Sequence, residues 1–157
     1  MYIKDYLTEA FKFNDAANKK LLKKVKLLES GGESIKLFSH LINTQKKWMA
    51  AIIQDPSYES MHWWDPVYPL DHLEQEWDAS TGIWIDYLSG KTDEELQTEK
   101  ICVNFENSVW AAVPMDIALQ LNYHSIHHRA QIQLFIRQQG IEPEFLDYIG
   151  TKVIKIS

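Results

Sequence analysis

Two histidines, His124 and His128, stand four residues apart in the stretch Asn122-Tyr123-His124-Ser125-Ile126-His127-His128-Arg129-Ala130-Gln131-Ile132. On a helix this spacing puts both imidazoles on one face, one turn apart. Ile117, Leu121, His124, His128, Gln131 and Phe135 follow a 4-3-4-3-4 spacing, the pattern of a helix stripe turned toward a core. An imidazole inside such a stripe needs a partner, because an unpaired buried polar group costs roughly 1–3 kcal/mol. A shared metal ion would satisfy the pair. A hydrogen-bonded core arrangement would do so as well, and spacing alone does not choose between them. His127 falls about 80° off the stripe on a 3.6-residue helix and reads as a surface or supporting group.

The elements that must position these rings follow from periodicity and punctuation. A first helix is expected from about Ile3 to Leu28, with Tyr6, Leu7, Phe11, Leu21, Leu22, Val25 and Leu28 on its apolar side. Gly31 and Gly32 stop it. Ser34 is the expected N-cap of a second helix whose stripe is Phe38, Leu41, Gln45, Trp48 and Ile52, with Ile42, Met49 and Ile53 beside it. His40 lies at the edge of that stripe. The helix should end before Asp55-Pro56.

Residues 57–69 read as a loop rich in aromatics: Tyr58, His62, Trp63, Trp64 and Tyr68. It is either a lid over the bundle end or the wall of a substrate pocket. Asp71 and Glu74 suggest a capping arrangement for a third helix, with Leu73, Trp77, Trp84 and Leu88 inward. Residues 92–97 form an acidic connector with room for one helical turn. The segment from Glu99 to Phe105 then alternates, Glu106-Asn107-Ser108 is turn-like, and residues 109–113 can return, so a short β-hairpin or an extended linker is expected. Pro114 suits the first turn of a fourth helix that carries the histidines and runs to Gln139, where Gly140 caps it. The tail from Ile141 to Ser157 should pack outside. Four long amphipathic helices with inward histidines make an all-α four-helix bundle, one domain over residues 1–157, the expected fold, and bundles build metal sites from facing helices.

Composition excludes several classes. The 157 residues carry a net charge of −6, which argues against general nucleic-acid binding. No apolar run reaches the ~18 residues of a membrane span. Lys4 and Asp5 stand where a secretory signal would be apolar, and one cysteine, Cys102, fits a reducing compartment, so a cytoplasmic protein is expected. Cys102 reads as a small strand residue, and His62 and His72 as surface groups. Glu74, Glu76 and Asp78 sit where a helix dipole favours acids.

His124-Ser125-Ile126-His127-His128-Arg129-Ala130-Gln131 resembles the H-x-x-x-H-R-G-Q signature of the DinB family, with Ala130 replacing the usual glycine. Ser39-His40-Leu41 resembles that family's second-helix histidine. The extended pair before the histidine helix and the closing Leu134 to Pro143 fit as well. The resemblance covers nearly the whole chain. It implies a homodimeric four-helix bundle with a divalent metal on His40, His124 and His128. Zinc or nickel is expected first, iron or manganese next. Three neutral imidazoles leave positions open for water, the arrangement of a catalytic site. Related proteins include S-transferases that use low-molecular-weight thiols, so a thiol S-transferase acting on a small molecule is the enzymatic expectation. A non-catalytic metal-binding or metal-stabilised stress-response protein is the alternative. No residue stands out as a general base.

Overall fold

Residues 2–156 are described by a computed structural model. α1 (Ile3–Val25) follows the expected 3–4 spacing inward at Leu7, Phe11, Leu21, Leu22 and Val25, while Tyr6 is exposed. Its N-terminus has no local side-chain cap. Two of its orphan N–H groups, those of Ile3 and Lys4, donate instead to the Asp93 carboxylate at 2.9 and 3.0 Å. These bonds favour the ionised form and hold Asp93 below the usual carboxylate range.

α2 (Gly32–Ile52) begins two residues before the expected cap. Ser34 therefore sits inside the first turn, buried, and is not an N-cap. Phe38, Leu41, Ile42, Gln45, Met49 and Ile52 face inward, whereas Ile53 is exposed past the helix end and Trp48 is half-buried against Trp63. After a 3₁₀ turn at Pro56–Ser60, the chain crosses to α3 (Leu73–Ser89), which buries Leu73, Trp77, Trp84 and Leu88. The Asp71–Glu74 cap does not form. Glu74 is drawn across to Lys26 at the end of α1, at 2.6 Å. The acidic connector becomes α4 (Asp93–Thr98), started by a capping box in which Thr92 and Glu95 exchange bonds.

The hairpin forms as β1 (Ile101–Phe105) and β2 (Ser108–Ala112), antiparallel, with Ile101 opposite Ala112 and Phe105 opposite Ser108. Glu106 and Asn107 both have positive φ, 49° and 59°, as a tight two-residue hairpin turn demands. Ser108 thus belongs to the strand and not to the turn. α5 (Pro114–Gln138) starts on its proline, and Gly140 follows it at φ +78°. Along the tail, Ile141 and Leu146 pack on the bundle, a second 3₁₀ turn spans Tyr148–Thr151, and residues 152–156 are exposed.

α1 and α2 each pack against both α3 and α5, closing a four-helix ring. The expected all-α bundle with a hairpin before the last long helix is the observed fold. Its core has two apolar ends. Phe11, Trp84, Leu88, Ile117 and Leu121 fill one, and Leu22, Phe38, Trp77, Ile132 and Ile136 fill the other. Between them lies a buried polar waist that includes Asn14, Asn18, His40, Thr44, Ser125, His128 and Arg129. No helix among the described residues is long and apolar enough to cross a membrane.

Candidate metal centre

His40 sits on α2, and His124 and His128 sit on α5, the helix packed beside it. Their ligand-capable ring atoms lie within 4.8 Å of one another, so three nitrogens converge from two helices. The Nε2 atoms of His40 and His124 are 3.1 Å apart. Two ligands bonded at ~2.0–2.1 Å to one tetrahedral zinc would stand about 3.3 Å apart. The third ring, His128, has its centroid 4.5 Å from that of His124 and 5.0 Å from that of His40.

The far nitrogens of two rings are engaged. Nδ1 of His40 lies 2.7 Å from the Trp63 carbonyl oxygen, and Nδ1 of His128 lies 2.6 Å from Gln131 Oε1. A carbonyl oxygen only accepts, so each Nδ1 carries the proton and each neutral ring turns its Nε2 lone pair toward the centre, where that of His40 meets His124 Nε2. This is the outer support that orients metal-ligating histidines. Gln131 is exposed on the α5 surface, one position before the buried Ile132. It serves the site as the partner of His128 and contributes nothing to the core.

Electrostatics keeps the rings neutral. Burial is the main cause for all three, and the neighbouring imidazoles add to it. His124 has the largest shift, lowered to about 4 by burial and then by the potential positive charge of His128, His40 and His127. Neutral imidazole is the form that binds metal. The donor set, its supports and its protonation therefore fit a divalent ion: three soft-to-borderline nitrogens, suited to zinc, nickel, iron or copper. The three histidines are placed to hold a metal ion.

The aromatic loop reaches this centre. Trp64 stacks on His40, ring centroids 3.8 Å apart and planes 6° from parallel. Besides the His40–Trp63 contact and a bond from Lys46 Nζ to the Tyr68 hydroxyl, three bonds fasten the loop to α2. Asn43 Nδ2 donates to the Pro66 carbonyl at 3.0 Å, the Tyr68 N–H to Ser39 Oγ at 3.0 Å, and Lys47 Nζ to the Met61 carbonyl at 2.6 Å. Lys47 also lies over the Tyr58 and Trp63 rings, and burial lowers its pKa. These contacts hold the loop against α2 and over one face of His40.

The remaining sequence candidates fall elsewhere. His127 points outward beside His128, with ring centroids 5.0 Å apart. His62 and His72 are exposed, as is the free thiol of Cys102 on the hairpin. Two supporting groups were missed. The Trp63 carbonyl is a backbone atom without a signature, whereas Gln131 had one, its i+3 spacing from His128. On its other side, α5 meets a buried network with α1. Asn18 Nδ2 donates to Asn14 Oδ1 at 2.9 Å and Ser125 Oγ at 2.8 Å, and Arg129 Nη1 donates to Asn14 Oδ1 at 3.1 Å. Burial brings Arg129 down to about 10, still charged at neutral pH.

A family model described as DinB family matches residues 8–155. Comparison with curated proteins finds no match, and comparison with solved structures finds none. The matched span contains both histidine-bearing helices, the loop that covers them and the hairpin that leads into α5, so the resemblance carried by His40 and the His124–His128 pair extends to the whole fold: the chain belongs to the DinB family.

Proposed function

We propose that this chain is a metal-dependent transferase that moves a low-molecular-weight thiol onto a small electrophilic substrate, with His40, His124 and His128 as the protein ligands of a divalent ion. The observation that carries the reading is the commitment of two Nδ1 atoms to carbonyl acceptors, which leaves Nε2 lone pairs converging on one point. Zinc or nickel suits the imidazole set best, with iron or manganese next. Bound there, a divalent ion would hold a thiol as thiolate or lower the pKa of a water toward ~7.

The chain's own residues do the rest. Trp63 and Gln131 fix two ring orientations, and Trp64 covers the face of His40 and limits water there. In the transfer, the thiol's proton leaves to solvent and sulfur forms a bond to the electrophilic carbon. The leaving group departs with the bonding pair. The ring hydrogen bonds go to Trp63, Gln131 and one another, so among the described residues no carboxylate is hydrogen-bonded to the three histidines to act as base.

That feature, with the tryptophan cover, also favours a second reading, a non-catalytic metal-binding stress-response protein. A panel of small thiols with an electrophilic acceptor separates the two. Activity lost on chelation and restored by a divalent ion supports the transferase. Transfer unchanged in metal-free protein removes it.

We further place the protein in the cytoplasm, on its exposed free thiol, and infer a homodimer. Val109 and Trp110 on the hairpin, Leu134 on α5 and Phe145 in the tail stand exposed and call for cover. Sedimentation showing only an 18.4 kDa species at micromolar concentration would end the dimer reading.

A further inference from the structure

On a 3.6-residue helix, Leu119, Asn122, Ile126 and Arg129 lie on the side of α5 opposite His124 and His128. There, between α1, α5 and the Tyr148 turn, is a cavity of about 130 Å³. Its floor is polar and deeply buried: Asn14 is 2% exposed, Arg129 5% and Asn122 8%. Its walls and rim are apolar and aromatic, with Phe13 half-buried and Tyr6, Tyr123, Ile126 and Tyr148 exposed at the mouth.

The floor has surplus donors. Asn14 Oδ1 accepts from both Asn18 and Arg129, which fixes its amide orientation and leaves Nδ2 buried without a partner. The Arg129 guanidinium has five N–H donors and is charged at any physiological pH. Its side-chain hydrogen bond in the described structure is the one to Asn14, and no carboxylate among the described residues lies within ion-pair distance of it. Asp147 acts on it only from farther away. A buried cation with spare donors is held at high cost unless an anion pairs with it. A carboxylate matches a guanidinium in two parallel bonds, and a second donor beside it suits the same group. The aromatic walls require an apolar body. A dry cavity of about 150 Å³ admits benzene. In this slightly smaller, open one the apolar body of a bound acid would reach out between the exposed tyrosines at the mouth.

We propose that this cavity binds a small monocarboxylic acid with an aromatic or compact branched body, its carboxylate on Arg129 and Asn14 and its apolar part among Phe13, Ile126 and the tyrosines. The site is separate from the histidine centre and stands whether or not that centre is catalytic. It is an accessory site on the helix that also carries two of the histidines, so its occupant touches the element next to the metal centre and not the metal centre itself.

Benzoate is the probe, with benzyl alcohol as its uncharged counterpart, titrated calorimetrically into the full-length protein freed of metal. Charge-assisted bonds should make benzoate bind about ten-fold or more tightly than benzyl alcohol. Arg129→Gln should erase that preference. Because Arg129 is buried, Ala10→Leu provides a second variant: Ala10 lines the cavity and is only half-buried, so the larger side chain should block both probes while the thermal melt is kept. Equal affinity for the two probes overturns the proposal, as does benzoate binding unchanged in Ala10→Leu. Benzoate bound only after metal is restored assigns it to the histidines and overturns the proposal too. Binding that vanishes as protein concentration rises marks the cavity as part of a subunit contact, with the same consequence.

Discussion

α5 turns a polar face toward each of two neighbours, and the two faces offer opposite chemistry. Toward α2 stand His124 and His128, joined by His40. The Nδ1 protons of His40 and His128 are committed to outer carbonyls, and their Nε2 lone pairs are left over toward the centre. Toward α1 stand Ser125 and Arg129, joined by Asn14 and Asn18. Here the acceptor Asn14 Oδ1 is used twice, and at the cavity floor the Asn14 Nδ2 and Arg129 donors are left over, while behind them Asn18 Oδ1 is also buried without a partner. Spare lone pairs suit a cation, and spare donors suit an anion. Both faces lie in the same buried waist between the same two apolar ends, so burial alone does not tell them apart. What distinguishes them is the charge each carries: neutral imidazoles on one and the Arg129 guanidinium on the other.

The largest expected effect separates the two faces. His128→Ala should lower metal affinity beyond the ~10–100-fold that loss of an outer partner costs, while circular dichroism stays helical. His127→Ala should retain full metal by elemental analysis. Full metal in His128→Ala, or loss only in His127→Ala, would mean the wrong histidines have been assigned.

Asn18→Ala tests the other face. It strips Ser125 of a buried donor and should cost about 1–3 kcal/mol in denaturant unfolding, with metal content unchanged. Metal loss there would show that the faces are one coupled unit. Gln131→Ala should weaken metal binding by about ten-fold through His128 alone, read by competition with a chelator.

A further effect is with pH. Ordinary imidazoles would begin to release metal below about pH 6.5. Burial and mutual repulsion move protonation of His124 down to about 4, so release should begin lower. In metal-free protein the sign follows from linkage. Between about 6.5 and 4 the unfolded chain binds a proton at this residue that the folded one refuses. Stability should therefore fall as pH drops through that window, and this contribution should be exhausted below about 4. Urea midpoints at pH 7, 5.5 and 4.5 check it, and a flat profile would show that His124 is not depressed.

The histidine face was legible because its residues obey a helical repeat that the apolar neighbours also obey. The repeat nevertheless slipped. Gln131 and Phe135 continue a 3.5-residue spacing, but a straight helix drifts by ~20° per heptad. By the last two turns, Ile132 and Ile136 are the fully buried pair, Phe135 is half-buried and Gln131 is exposed. The asparagine face was equally regular: Leu7, Phe11, Asn14, Asn18 and Leu21 run 4-3-4-3 along α1 and are all buried. It went unread because asparagine among apolar residues does not suggest chemistry until Arg129 is seen to arrive from another helix. Caps were the weakest reading. Ser34 and Asp71 are good local candidates, but α2 begins two residues before Ser34 and the N-cap position of α3 falls on His72, one residue after Asp71. Asp93, remote in sequence, caps α1 instead.

The stacking of Trp64 on His40 has an optical consequence. An indole in face-to-face contact with an imidazole loses its excited state far more readily when that ring becomes cationic or holds a paramagnetic ion. Trp64 and Trp110 are exposed while Trp77 and Trp84 are sealed in the core, so the first two should emit to the red. Of these it is Trp64 that stacks on His40 and should respond to its state. The chain thus carries its own fluorophore on one candidate ligand, a label-free gauge of whether His40 is bare, protonated or bound.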